Sequence, residues 1–243
     1  RSGIGNKTEL LSYGFKSYEI IDNPEVGHNL RTQWAVVQIR SVAEGRFVNE
    51  SSRSYTTGLS VLANVSSPYP DAIYDMWQID NPLLIFDNLP TKVFFNVMYN
   101  SDTFAPGVVK YDPTNPTKPV IDPKIFTSEN LDHMIRMFRA GRSFTNGSTL
   151  YPEELIPPAG VDWDDYNNAA AFIKGAVSDG SHPIGTCRMG VDSQSVVDEY
   201  LRVRGVRKLR VADVSIAPAH IGAGTKPLAM AIGYHAADLI LGH

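Results

Sequence analysis

One cysteine, Cys187, is all the thiol chemistry in this 243-residue sequence. A single sulfur forms no disulfide within the chain and no thiolate metal cage. The six histidines show no H-E-x-x-H or comparable ligand spacing, so no metal site is expected. There is no basic excess either. The 22 Lys and Arg against 26 Asp and Glu leave a net charge of −4, which argues against duplex nucleic acid as a partner. No run approaches the roughly 18 apolar residues that a membrane-spanning helix needs. Internal repeats and low-complexity tracts are also missing. What remains is ordinary globular composition, 43% hydrophobic and 20% charged, enough for one large domain or two small ones.

The chain opens Arg1-Ser2-Gly3-Ile4-Gly5, with neither Met nor signal peptide, and reads as a sequence entered in mid-protein. N-x-[ST] sequons occur at Asn6, Asn49, Asn64 and Asn146. Chance gives roughly two among this many asparagines. With the low cysteine content, they point to a secreted glycoprotein without disulfide scaffolding. Coincidental sequons in a cytosolic enzyme are the alternative.

Local patterns divide the chain. Residues 1–30 are rich in Gly and Asn and read as loop. Residues 33–48 (QWAVVQIRSVAEGRFV) have strand character, and residues 82–99 read as strand, turn, strand. Four prolines in residues 111–124 exclude helix and predict an extended surface segment. The period then changes. Leu131, Met134, Ile135 and Phe138 fall on one helical face, with Ser128 as N-cap and Gly141 as stop. A second helix is expected from about Asp162 to Val177, its acidic start suited to a helix N-terminus. A short strand is expected near Arg207–Val211, and a last helix from about Lys226 to Leu241 with Pro227 in its first turn. Strands in the first half and helices in the second suit an α+β region that returns to another domain.

Two segments carry candidate chemistry. Residues 181–190 read SHPIGTCRMG. Pro183 holds His182 away from helical angles, and Gly185 and Gly190 permit tight backbone. Such a loop presents one imidazole with little freedom, and imidazole suits proton transfer near neutral pH. A plain surface histidine is the competing reading. Residues 199–213 (EYLRVRGVRKLRVAD) end on Asp213, and the Gly-rich loop VSIAPAHIGAGTKP leads into the helix at Lys226. Amide groups at a helix start attract negative charge. The competing reading is an ordinary strand–loop–helix connection.

These pieces, together and in order, resemble the C-terminal region of glucose–methanol–choline (GMC) flavoenzymes. The carriers are HPIGTCRMG, then LRVRGVRKLRVADVSIAP, then KPLAMAIGYHAADLI. Ser2-Gly3-Ile4-Gly5 is similar to the end of that family's second signature, and Val26-Gly27-His28-Asn29-Leu30 to its VG-x-NL. About residues 35–125 carry no motif that resembles the family's.

The resemblance implies an α+β fold. An antiparallel-sheet substrate-binding domain (31–180) has flanking helices. Residues 1–30 and 181–243, with a C-terminal strand and helix, return to a Rossmann-like FAD domain. It implies bound FAD, a small alcohol-type substrate, and a partner in the N-terminal FAD-binding portion of the same protein, as a separate chain or missing segment. The G-x-G-x-x-G fingerprint for the pyrophosphate is absent here, and Gly222-x-Gly224 is incomplete. Carried over by position, His182 is the base that takes the substrate's hydroxyl proton while hydride passes to flavin N5. Ala212, Asp213 and Val214 contact the phosphate–ribityl region. Thr225, Lys226 and Pro227 lie at the pyrimidine end, where helix-start amides stabilise negative charge. One departure stands out: Thr225 occupies a position that is usually His or Asn, and threonine is no base near pH 7. Hence His182 acts alone with Thr225 orienting the substrate, or redox activity is reduced or lost, as in hydroxynitrile lyases and a cyclase of the family. A protein that keeps only the scaffold is the third reading. His220 reads as a loop or surface histidine, with reach into the site as the competing reading. Cys187 reads as a small buried residue, Arg188 as a structural hydrogen-bonder and His235 as packed or surface. Phe86, Phe94, Phe95 and Tyr99 read as core or as substrate-pocket wall.

Overall fold

A computed structural model of the chain describes residues 2–46, 56–61, 72–80, 89, 92–100, 105–115 and 117–242. In chain order its elements are β1 (Ile4–Gly5), α1 (Lys7–Ser12), β2 (Ile21–Asp22), β3 (Trp34–Ser41), β4 (Thr56–Val61), β5 (Ala72–Asp80), β6 (Lys92–Asn100), β7 (Val108–Lys110), β8 (Val120–Asp122), α2 (Ser128–Ser143), β9 (Glu154–Ile156), α3 (Tyr166–Ala176), β10 (Ser178–Asp179) and α4 (Lys226–Leu241). They form two compact units. One is Gln33–Ser101 with Phe126–Gly180; the other is Arg1–Thr32 with Asp102–Ile125 and Ser181–His243.

The first unit is an antiparallel sheet of order β10-β3-β6-β5-β4, with β9 also pairing β3. Its central strands are rich in Val, Ile, Phe and Tyr, which suits a pleated, buried surface. Val36, Ile39, Val93, Phe94, Phe95 and Met98 are all buried. Helix α2 covers one face. Leu131, Met134, Ile135 and Phe138 are buried on it, as their spacing predicts. Its boundaries differ from expectation. Thr127, not Ser128, is the N-cap; its side chain accepts from the Asn130 amide at 3.3 Å. Gly141 lies inside the helix. A methyl group there would meet Met98 Sδ at 2.5 Å and Tyr74 Cε1 at 2.6 Å, so the glycine serves close helix–sheet approach, not termination. Helix α3 starts at Tyr166, later than expected. Asp165 caps it, and Asp162 instead closes a turn by accepting from the Asp164 and Asp165 amides.

The interior of this unit is also polar. Gln38, Asn96 and Thr145 are buried. Asn96 and Thr145 donate to Gln38 Oε1 at 3.3 and 3.2 Å, and Gln38 Nε2 donates to Glu154 Oε1 at 2.6 Å. Arg142 grips the same carboxylate with Nε at 2.9 Å and Nη2 at 2.5 Å. The network ties β3, β6, β9 and the end of α2 together through two shared acceptors, Gln38 Oε1 and Glu154 Oε1.

The second unit has little regular sheet: the parallel pair β1–β2 and the ribbon β7–β8, among the described residues. Residues 102–125, placed by sequence reading with the sheet domain, cluster here instead. Backbone bonds explain it. Leu30 and Gly107 exchange bonds of 3.0 and 2.8 Å, and the Val109 amide donates to Gly27 O at 2.7 Å. Lys110 pairs with Glu9 at 2.7 Å, and Tyr111 packs its ring 5.5 Å from that of Tyr13. Val196, Val197, Leu201, Val203, Ile216 and Ala236 form this unit's core.

The strand expected at Arg207–Val211 does not form. Lys208 has a positive φ of 61°, and Leu209 is exposed. The segment folds back as a hairpin, with Val203 donating to Leu209 O at 3.0 Å and Val211 to Leu201 O at 3.1 Å. Only the bridge Arg202–Arg210 pairs it in ladder fashion. The extended strand of 82–86 lies outside the described residues; β6 matches the second predicted run.

Candidate active site

The loop 181–190 threads between two backbone partners. Ile184 exchanges bonds with Arg31, at 2.8 and 3.1 Å. On the other side Cys187 and Met189 donate to Ser215 O and Ile216 O, both at 2.8 Å. Gly27 adds a bond to Thr186 O at 2.8 Å. Gly185 sits at φ 92°, and a side chain there would run into the Asn29 carbonyl, so glycine is required. Asn29 completes the frame. Its Nδ2 donates to Gly185 O at 3.4 Å and Pro218 O at 3.3 Å, while its Oδ1 accepts from Arg31 Nε at 3.0 Å. Sequence reading used Asn29 only as part of a motif. The VG-x-NL match was the signal for its place, but its role as the joint between both loops needed the fold.

This frame fixes His182, which is half-buried. The imidazole lies against Gly224: a methyl group on Gly224 would sit 3.4 Å from Nε2 and 3.6 Å from Cε1. The two segments singled out in the sequence therefore converge. Gly224 directly precedes Thr225, which occupies the N-cap position of α4. The Thr225 side chain makes no capping bond, although its carbonyl accepts from Ala229 at 2.9 Å. Pro227 stands in the first turn, as expected. Lys226, Pro227 and Gly224 are exposed, and Thr225 is half-buried.

Asp213 lies on the same connection. It caps a 3-10 turn, Val214–Ile216, with Oδ1 accepting from the Ser215 amide at 2.7 Å. Ala212 and Asp213 are exposed, and Val214 is half-buried. His220 is half-buried on the following loop, and His235 is exposed. Burial pushes the Cys187 thiol up, with the charge of Asp213 adding and a bond to Ser215 opposing. That marks Cys187 as a packed residue rather than a nucleophile. Arg188 is engaged by Asp192 in a two-point contact of 2.6 and 3.1 Å, which holds the Asp192 carboxyl down at about 2. Phe94 stacks on Tyr151 at 4.0 Å and Phe95 is buried with Ile39 and Val93, so both serve packing. Burial and the nearby Asp75 push the half-buried Tyr99 phenol up. Phe86 lies outside the described residues.

Of the sequons, Asn146 is exposed beyond α2, and Asn6 caps α1 by accepting from Glu9 at 3.1 Å. Asn49 and Asn64 lie outside the described residues. Among the described residues, no group of three or more His, Cys, Asp or Glu is placed to hold a metal ion. No helix among them is long and apolar enough to cross a membrane.

Helix α4 is apolar around most of its circumference, yet only Ala236 is fully buried. Met230, Tyr234, Ile240 and Leu241 are 64 to 75% exposed. Each such side chain left in water forgoes about 1.5–3 kcal/mol of burial.

Comparison with known proteins follows the same lines. Residues 103–233 match the family GMC oxidoreductase. Choline oxidase of Arthrobacter globiformis is 30% identical over 98% of this chain and 45% of its own length. An alcohol dehydrogenase [acceptor] of Pseudomonas putida is 28% identical over 99% of this chain and 48% of its own. The chain thus spans about half the length of the curated relatives it matches. Among solved structures, pyridoxine 4-oxidase from Mesorbium loti superimposes with a TM-score of 0.81 at 22% identity, over 99% of this chain and 48% of that one. A formate oxidase gives 0.79 at 19% identity, over 99% and 51%. These structural likenesses show the fold.

Proposed function

We propose that this chain, which belongs to the GMC oxidoreductase family, supplies the catalytic loop of an FAD-dependent enzyme that oxidises an alcohol. The observation that carries the reading is the contact of the His182 imidazole with Gly224 at the entrance to α4. The residues present fit a flavin ring. Gly222 and Gly224 bear no side chain over this ledge, and a methyl group on Gly222 would meet nothing within 4 Å. The first-turn amides of α4 lack a side-chain cap, which suits a neighbour that carries negative charge.

When bound, FAD supplies a two-electron acceptor that takes hydride from the carbinol carbon at N5. This chain does the rest. His182 accepts the hydroxyl proton, and its loop, fixed by Arg31, Asn29 and Ser215, limits the imidazole to one approach. Thr225 donates or accepts a hydrogen bond to the substrate oxygen without acting as a base. Ala212, Asp213 and Val214 would hold the phosphate–ribityl region, and Lys226 and Pro227 would bound the pyrimidine end. The exposed apolar side of α4 supports a chain that works as part of a larger whole, with the FAD-binding portion of the same protein as the partner that would cover it. Secretion and glycosylation remain part of this proposal, with Asn146 the most accessible of the described sequons.

A non-redox lyase or cyclase is not favoured, because the relatives named above are oxidases and dehydrogenases. The test uses the full-length protein under anaerobic conditions. Addition of a turnover-competent alcohol is expected to bleach the oxidised flavin band, and His182→Ala is expected to stop it. Bleaching at the native rate in that variant ends the role given to His182. Product formed while the band stays unchanged ends the oxidation itself.

A further inference from the structure

We propose that the hairpin 198–210 binds a small multivalent oxyanion of the phosphate or polyphosphate class. The segment carries five cations, Arg202, Arg204, Arg207, Lys208 and Arg210, against two carboxylates, in a chain whose net charge is −4. The fold explains their display. Leu201 and Val203 are buried and anchor the hairpin in the unit's core. Gly205 at φ 80° and Lys208 at φ 61° turn the chain sharply between them. Arg202, Arg204, Arg207 and Lys208 are left exposed. They line an open surface depression of about 500 Å³, together with Asp198, Val203 and Val206. Small-molecule sites have volumes of roughly 300–1,000 Å³.

The charges are not cancelled locally. Asp198 holds Arg202 at 2.8 Å and takes two backbone amides besides, so it offsets that one cation. Arg204 is oriented by uncharged acceptors, Ser195 Oγ at 2.8 Å and Gly190 O at 2.7 Å, and keeps its full charge. Arg207 and Lys208 form no ion pair with the described residues. Glu199 is not among the residues that line the depression. A guanidinium held by neutral groups is preorganised for a two-point contact with an oxyanion, and lysine adds a mobile point charge. Cations gathered around one open depression favour a compact anion. One negative charge at such a rim is largely screened by salt, so the ligand carries several.

The test titrates the full-length protein with inorganic tripolyphosphate by calorimetry at low salt. Saturable binding at one site per chain is expected, weakening as sodium chloride is raised. The double substitution Arg207→Gln with Lys208→Gln alters only exposed side chains and is expected to weaken binding about tenfold. Arg204→Lys, which loses the planar fork, is expected to weaken it as well, with alcohol oxidation unchanged in both variants. Unchanged affinity in the double variant overturns the proposal. So does failure of tripolyphosphate to bind at millimolar concentration. Vesicles containing phosphatidylserine form the second arm; binding to them without binding to tripolyphosphate would assign the hairpin to a membrane surface and equally overturn it.

Discussion

The sheet unit runs a polar network through its own interior, whereas the unit that carries His182 presents the apolar side of α4 as a surface. In the first, Gln38 and Glu154 serve as shared acceptors for Asn96, Thr145 and Arg142. In the second, a modest core supports long loops whose order comes from backbone bonds among distant segments, such as Arg31 with Ile184. Regular elements bury side chains efficiently but aim few of them at one point. Loops pinned at many places do the opposite. Stability and chemistry should therefore respond to different substitutions, and that separation can be broken experimentally.

The largest effect is expected at His182. His182→Ala should lower the turnover rate by about 10²–10⁴-fold, the usual share of a general base, and leave the denaturation midpoint unchanged. A matching loss of stability would show that the loop's order, not proton transfer, was removed. Glu154→Ala should do the reverse. It strips the shared acceptor from Gln38 and Arg142 in a site only 17% exposed at the carboxylate, and should cost about 2–4 kcal/mol in urea unfolding. Flavin bleaching rates in the folded fraction should stay native. Gly141→Ala comes next. The added methyl gains about 1 kcal/mol of helix propensity but presses on Met98 and Tyr74, where overpacking costs about 1–3 kcal/mol. A net loss is expected in the same unfolding experiment, and a gain would show that α2 can move off the sheet.

How much of this was legible beforehand follows the same division. Helices α2, α3 and α4 and strand β6 announced themselves through local period, because their burial is set by their own residues. Strand β5 (Ala72–Asp80) was missed: its Asp and Gln residues blur the alternation, and its place depends on pairing with β6. Gly141 looked like a stop because propensity sees the helix alone, not Met98 opposite it. The hairpin at 207–211 looked like a strand because Leu209 and Val211 alternate; nothing local reveals that Lys208 takes a left-handed turn. At the site, His182 and Thr225 were visible by family resemblance. Their approach through Gly224 joins segments about forty positions apart, and the tie that Asn29 makes between residues 185 and 218 spans more than 150, which no local pattern encodes.

The smallest effect probes whether the catalytic loop's far end is held by charge. Arg188 lies six residues after His182, and its contact with Asp192 is the main reason the Asp192 carboxyl falls from 3.8 to about 2, with the Gln194 amide helping. A carboxyl depressed in the folded state binds its proton less readily there than in the unfolded chain. Its stabilising contribution is therefore complete above the ordinary value near 3.8, and is lost as pH falls through about 2. Asp192→Asn should shift the unfolding midpoint slightly at pH 5–7, because exposed pairs of this kind contribute little, and the shift should fade as pH falls through about 2. Carbon NMR of the Asp192 carboxyl should show a midpoint near 2, and one close to 3.8 would mean that Arg188 leaves the pair in solution. In that case the loop's rigidity rests on its backbone bonds to Arg31, Gly27, Ser215 and Ile216 and on the Asn29 side chain, with no help from charge at its far end.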